Sequence, residues 1–208
     1  MHHRIVFVAK NTDITYQDFH LGWQMVHSRL LTPTVNLRGY VQNRPVAAQW
    51  GRGLYDGVAE LWYDSATLEQ EAFDSHQSKV IREHEHSFMS GEKAFSALVE
   101  ETVLVPGRQT GSRILAFGAD PSQVPEWAVA ATLLKLDAAE PHTGADSVLS
   151  VWTASEPDAF AVKDALGGES LVVSPAPIVT PPLWPWDGSQ PPAIHRLDSL
   201  GPRKGPNV

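Results

Sequence analysis

Thr15 to Leu31 reads TYQDFHLGWQMVHSRLL, and its spacing predicts one amphipathic helix. Phe19, Trp23, Val26 and Leu30 fall at i, i+4, i+7 and i+11, a single apolar stripe at helical period. At roughly 100° per residue, His27 sits about 40° from Trp23 around the axis, on the border of the buried face. An imidazole there is partly shielded from water, which suits it to carry a proton near neutral pH. The position equally suits a core-edge histidine bonded to a backbone carbonyl. Thr15, with Asp18 three residues on, caps the start, and Thr32-Pro33 stops the end.

Short β-branched runs surround this helix. Ile5 to Ala9 precedes it as a first strand, and LRGYVQ (Leu37 to Gln42) follows as a second. Asn43 to Gly53 reads as loop, and Asp56-Gly57 as a tight turn into the alternating strand Val58 to Tyr63. Ser65 to Phe88 is helical in composition with a break near Ser75, and Leu98 to Val105 is a fourth strand ended by Pro106-Gly107. The order β-α-β-β-α-β is the split βαβ, or ferredoxin-like, arrangement, with helices on one face of an antiparallel sheet.

The second half repeats the pattern in weaker form. Arg113 to Phe117 reads as a strand, Pro125 to Leu136 as a helix with Pro125 at its first turn, and Ser147 to Thr153 as a strand. Pro157 to Leu166 is then a helix and Glu169 to Ser174 a strand. The polar stretch Asp137 to Asp146 leaves the repeat's second strand without a sequence signal. Trp62 and Trp152 occupy similar places in the third strands of the two halves. The expected class is therefore α+β, a ferredoxin-like tandem repeat. Residues 1–108 form the first unit, 109–181 a degenerate second, and 182–208 a Pro/Gly-rich tail whose Trp184 and Trp186 call for a surface to cover them. Two such sheets can pair within one chain or across a homodimer.

Composition narrows the function. Of 208 residues, 42% are hydrophobic and 19% charged, which is globular rather than disordered. A net charge of −8 argues against nucleic acid or anionic membrane as partner. With no cysteine, thiolate catalysis, disulfides and Cys-bound metals are excluded. The five-residue apolar run near the N-terminus is too short for a signal-peptide core or a membrane span, so a cytoplasmic protein is expected. His84 and His86 on a helix point about 200° apart, and His20 and His27 lie two turns apart, so neither pair chelates by itself. Glu69, Glu71, Glu83 and Glu85 read as a solvated acidic face. No phosphate-binding glycine loop and no nucleophile elbow is present.

The helix pair Trp23 and His27, the strand LRGYVQN (Leu37 to Asn43), DGVAELWYDS (Asp56 to Ser65) and the Val99 to Glu101 strand, in this order, resemble the EthD family of the dimeric α/β-barrel superfamily. The resemblance covers roughly residues 4 to 106. It implies a sheet that pairs with a second sheet around a mostly apolar cavity, and activities such as decarboxylation or dehydration of polyketide-like aromatic precursors. Related barrels carry out cofactor-free oxygenation. Carried over, His27 matches the family's helix histidine, Tyr40 and Asn43 the strand beside it, and Asp56, Gly57 and Trp62 the third-strand motif. The family's acidic position before the late phenylalanine is crowded by His84, Glu85 and His86. In the second half Trp127 is present but Ala131 stands where a histidine would fall, so one site per chain is expected.

These residues suit a cofactor-independent lyase acting on a small hydrophobic substrate. His27 would be general acid/base, and Tyr40 and Asn43 would hydrogen-bond a substrate oxygen. Trp23, Trp50, Trp62, Asp56 and His86 would bind the substrate, with neither cofactor nor metal required. A cofactorless monooxygenase on a phenol or anthrone needs the same base and pocket. A non-catalytic carrier of a hydrophobic molecule needs only the pocket.

Overall fold

The computed structural model describes residues 1–179; the tail, with Trp184 and Trp186, lies outside the described residues. The elements run β1 (His2–Val8), α1 (Tyr16–His20), a π-helical segment (Leu21–His27), α2 (Ser28–Leu31), β2 (Gly39–Pro45), β3 (Gly57–Tyr63), α3 (Ala66–Asp74), α4 (His76–Phe88), β4 (Phe95–Val105), β5 (Ser112–Phe117), β6 (Ala130–Leu136), β7 (Ser147–Thr153), α5 (Glu156–Leu166) and β8 (Ser170–Val179). All neighbouring strands are antiparallel, and they close into a barrel in the order β1-β3-β2-β8-β5-β7-β6-β4. The two halves meet along β2–β8 and β4–β6, so closure occurs within one chain.

Local chemistry sets the helix boundaries. Thr15 accepts the Asp18 N–H and donates its own hydroxyl to the Asp18 carboxylate, capping α1. Ser75 ends α3 by donating to the Ala72 carbonyl and begins α4 by accepting the Ser78 N–H. One expectation fails in the second half. Residues 125–136 do not form a helix: a turn holds the exposed Trp127, and Ala130–Leu136 is β6, filling the gap between β7 and β4. The run AATLLKL is rich in helix formers, but a short buried apolar stretch carries no period that separates strand from helix. Ala131 is thus a strand residue, and no helix there holds a counterpart to His27.

Eight strands enclose a bore that side chains just fill. Ile5, Phe7, Val58, Leu115, Leu134, Val148, Leu171 and Val173 pack there. A polar layer lies on the same interior faces. Arg113 forms a bidentate pair with Glu60 and donates to Asn43 Oδ1 at 2.9 Å and Ser150 Oγ at 2.7 Å. His3 lies 2.7 Å from Glu101 and 3.4 Å from Glu60, its ring stacked on Trp62. Burial by itself would lower the His3 pKa, but the carboxylates of Glu101 and Glu60 outweigh it and raise it. Burial would raise Glu60; Arg113 and His3 instead hold it below the usual carboxylate range. Arg113 belongs to the second half and its partners Glu60 and Asn43 to the first, so this layer ties the halves together.

Candidate functional site

A separate apolar cluster lies outside the barrel, where α1 to α4 cover β1, β2 and β3: Phe19, Trp23, Leu31, Tyr40, Ala59, Leu61, Ile81 and Phe88. Within it is a cavity of about 90 Å³ whose lining includes Val6, Trp23, His27, Thr34, Leu61, Tyr63, Glu85 and Phe88. The helix over this cavity departs from the sequence reading. Leu21–His27 is π-helical, and the buried stripe runs Phe19, Trp23, His27, Leu31. The wider π turn needs four residues where the α stripe needs three or four, so His27 takes the inward place expected for Val26, and Val26 is left 43% exposed. Gln42 Nε2 donates to the Trp23 carbonyl at 2.9 Å, tying the widened turn to the sheet, and Ser28 Oγ donates to the Gln24 carbonyl at 2.6 Å. The Trp23 ring lies against the start of β3 because Gly57 is there; a Cβ would come within 2.3 Å of the ring.

His27 is packed against Phe88, ring centres 5.2 Å apart, and beside His84 at 5.8 Å. Its Nε2 is 3.8 Å from Glu85 Oε1, while its Nδ1 and the buried Thr34 hydroxyl bond to no described residue. Unpartnered buried polar atoms around an apolar cavity are the pattern expected of a ligand site. Burial, with the His84 ring adding to it, lowers the His27 pKa to about 3, so the imidazole is neutral at physiological pH. Burial also raises Glu85 to about 7, against the pull of Arg82. Tyr63 is pushed up to about 12, by burial first and by Glu69 second.

The expected site residues do not come together in one place. Trp23 and His27 line the cavity. Tyr40 is buried on the same side of the sheet, but its hydroxyl accepts from Gln42 Nε2 at 2.7 Å. Asn43 lies on the opposite face of β2, inside the barrel, donating to the Val58 carbonyl and to Glu60. Residues 40 and 43 differ by an odd number, so the strand's period of two separates them and they cannot hold one substrate oxygen together. Trp62 is inside the barrel on His3. Trp50, 43% exposed, packs on His20 at 4.4 Å outside the cavity, and Asp56 accepts the Lys10 N–H in the neighbouring turn. His86 is exposed on α4.

Two acids expected on a solvated face are not there. Glu69 is buried, held by Arg4 and His2, and Glu85 lines the cavity. Their spacing carried the signal: Glu85 lies four residues after buried Ile81 and three before buried Phe88, on the inward face of α4. Among the described residues no group of three or more His, Asp or Glu side chains could hold a metal ion, and no helix is long and apolar enough to cross a membrane.

The electrostatics carry a measurable consequence. Glu85 has a folded pKa above its ordinary value, so its protonation favours the folded state, fully below about 4.5 and no longer above about 7. Compared with Glu85→Gln, the natural chain should therefore gain about 1–3 kcal/mol of relative stability as pH falls from 7 to 4.5, read from urea unfolding at both pH values. An unchanged or reversed difference would show that the carboxyl is not held in the environment described.

Residues 11–92 match the EthD domain family model. Among solved structures, the chain resembles an anthrone oxidase-like protein at 11% identity and a TM-score of 0.52, covering 85% of this chain and 93% of that one. An ethyl tert-butyl ether D (EthD) family protein from Bacillus halodurans is 20% identical over 49% of this chain and all of its own, with a TM-score of 0.42. No curated protein matches the chain.

Proposed function

We propose that the chain is a cofactor-independent lyase, a decarboxylase or dehydratase, acting on a small, mostly apolar substrate in the cavity between β1–β3 and the helices. The observation that carries this reading is the placement of His27 beside Glu85, 3.8 Å apart, in a largely apolar cavity, one group neutral and the other poised near neutral pH. Such a pair can deliver or remove a proton at carbon, the step both reactions require. Trp23 forms the wall, and Tyr40, through Gln42, steadies the turn that carries Trp23. At about 90 Å³ the cavity is smaller than the roughly 150 Å³ that admits benzene, so a polycyclic substrate enters only if Phe88 or its neighbours give way.

A cofactorless monooxygenase is the second reading, supported by the fold shared with the anthrone oxidase-like protein. That support is analogy of fold, since fold does not fix chemistry. We also read residues 1–108 and 109–181 as tandem ferredoxin-like units in a homodimeric protein. The strand orders β4-β1-β3-β2 and β8-β5-β7-β6, identical in form, support the repeat.

Native mass spectrometry of the full chain as isolated, followed by assay of any retained molecule in an oxygen electrode, tests these readings. A bound organic mass, converted without oxygen uptake, is the expected result, and the same spectra read the subunit count. Stoichiometric oxygen consumption would move the assignment to the monooxygenase. A retained molecule that is never converted would overturn both.

A further inference from the structure

We propose that the chain binds a small carboxylate with an aromatic body at a second site, outside the cavity, built by Arg44, His20 and Trp50. The inference stands apart from the proposed reaction, because none of these three residues lines the cavity. Arg44 follows Tyr40 and Gln42 at the strand's period of two, so all three belong to the helix-covered face of β2. Gln42 Nε2 is taken by the Trp23 carbonyl and the Tyr40 hydroxyl, which fixes the amide and turns its Oε1 to Arg44. Arg44 Nε and Nη2 both donate to that oxygen, at 3.1 and 2.8 Å. One edge of the guanidinium is thereby used, and the side chain is held half-buried. The other edge, Nη1 with Nη2, donates to no described residue, and no described carboxylate pairs with Arg44. Two parallel N–H groups on an unpaired guanidinium are the geometry that takes a carboxylate in a two-bond fork.

His20 supplies an independent observation. It is 8% exposed, and Gln24 Nε2 lies 3.0 Å from its Nδ1. An amide nitrogen only donates, so Nδ1 accepts and the neutral ring carries its proton on Nε2. That buried Nε2–H has no partner among the described residues, and a buried donor calls for an acceptor. Burial lowers the His20 pKa against the pull of Asp56, and the nearby Arg44 charge adds to the lowering, so the ring is a neutral donor at pH 7. The other charges here are occupied. Asp56 accepts from the Lys10 N–H and the Tyr16 hydroxyl, and Lys10 Nζ donates to the carbonyls of Asn11 and Ile14. Trp50 sets the shape of the ligand's body. Its ring centre is 4.4 Å from that of His20 and its Nε1 donates to the Pro45 carbonyl at 3.2 Å, yet it is 43% exposed. A flat apolar body on that open face would leave its carboxylate free to reach the guanidinium.

Benzoate is the probe, with acetate and benzyl alcohol as controls that lack the ring and the charge respectively. Calorimetric titration of the full chain at pH 7, with nitrogen-15 NMR of the Trp50 indole and the His20 ring, needs no turnover. Benzoate should bind saturably and move both signals, acetate should bind about tenfold more weakly, and benzyl alcohol should not saturate. Arg44→Gln should weaken benzoate binding about tenfold or more, and Arg44→Lys, which keeps the charge without the fork, nearly as much. His20→Phe, which keeps a ring against Trp50, should weaken it about fivefold. Non-specific attraction does not imitate this result, since a chain of net charge −8 repels anions on average. No saturable benzoate binding, benzyl alcohol binding as tightly as benzoate, or benzoate moving the Trp23 and His27 signals instead would overturn the proposal. All three are read on the natural chain, which decides the matter even if a variant fails to fold.

Discussion

Replacing His27 by alanine is expected to lower turnover on the cavity's substrate by roughly 10²–10⁴-fold, about 3–5 kcal/mol of transition-state stabilisation. The loss should fall on kcat rather than KM. The cavity walls Trp23, Leu61 and Phe88 remain and still hold an apolar molecule, whereas the imidazole 3.8 Å from the Glu85 carboxyl is gone. Steady-state kinetics on the molecule recovered from the native spectra give the answer. His27→Asn, which keeps a polar side chain at the position, guards against simple collapse of the helix. Near-normal turnover in both variants would remove His27 from the mechanism.

A second large effect lies far from the cavity. Arg113→Ala should cost about 3–5 kcal/mol of folding stability, because it leaves Glu60 in the barrel interior without its main counter-charge, with only His3 and Asn43 beside it. Glu60 and Arg113 are both almost fully buried, and the guanidinium also serves Asn43, Ser150 and the face of Trp152. Removing it leaves several buried acceptors unmatched at once. Urea unfolding at pH 7 measures the loss, and a change below about 0.5 kcal/mol would mean that Glu60 finds other partners. The size of the effect does not imply that the pair stabilises the fold relative to an apolar pair. Arg113→Met with Glu60→Leu, which removes both charges, should recover much of the loss.

The sequence made the fold class legible because strands and helices alternate in the first half with ordinary caps. Thr15 and Ser75 sit where their hydroxyls end up bonding. The second half was less readable for a physical reason. AATLLKL has the composition of a helix, and only the open edges of β7 and β4, distant in sequence, make it a strand. The π-helical segment was hidden in the same way. Phe19, Trp23, His27 and Leu31 recur every four residues, but so do acceptable α-helical sets, and what decides is the Trp23 ring over Gly57 with Gln42 on the Trp23 carbonyl. For the site, Trp23 and His27 were legible from one helix face. Glu85 reads in sequence as part of a charged surface, at an acidic family position crowded by His84 and His86, and only its spacing to Ile81 and Phe88 on α4 marks it as facing inward. Asn43 and Tyr40 come together only through the family resemblance, and the strand's period of two places them on opposite faces.

The two seams of the barrel give the chain a property of a different kind. Both seams, β2–β8 and β4–β6, join one half to the other, and the connection between halves is the short stretch between β4 and β5. A cut in that stretch would leave two fragments, each a four-stranded sheet with both outer edges unpaired and a bare apolar face. Neither fragment could satisfy those edges alone, yet each carries the complement of the other. The molecule is in this sense a two-piece assembly joined by a tether. Its halves, expressed separately, are natural candidates for reporters that regain a folded barrel only when brought together.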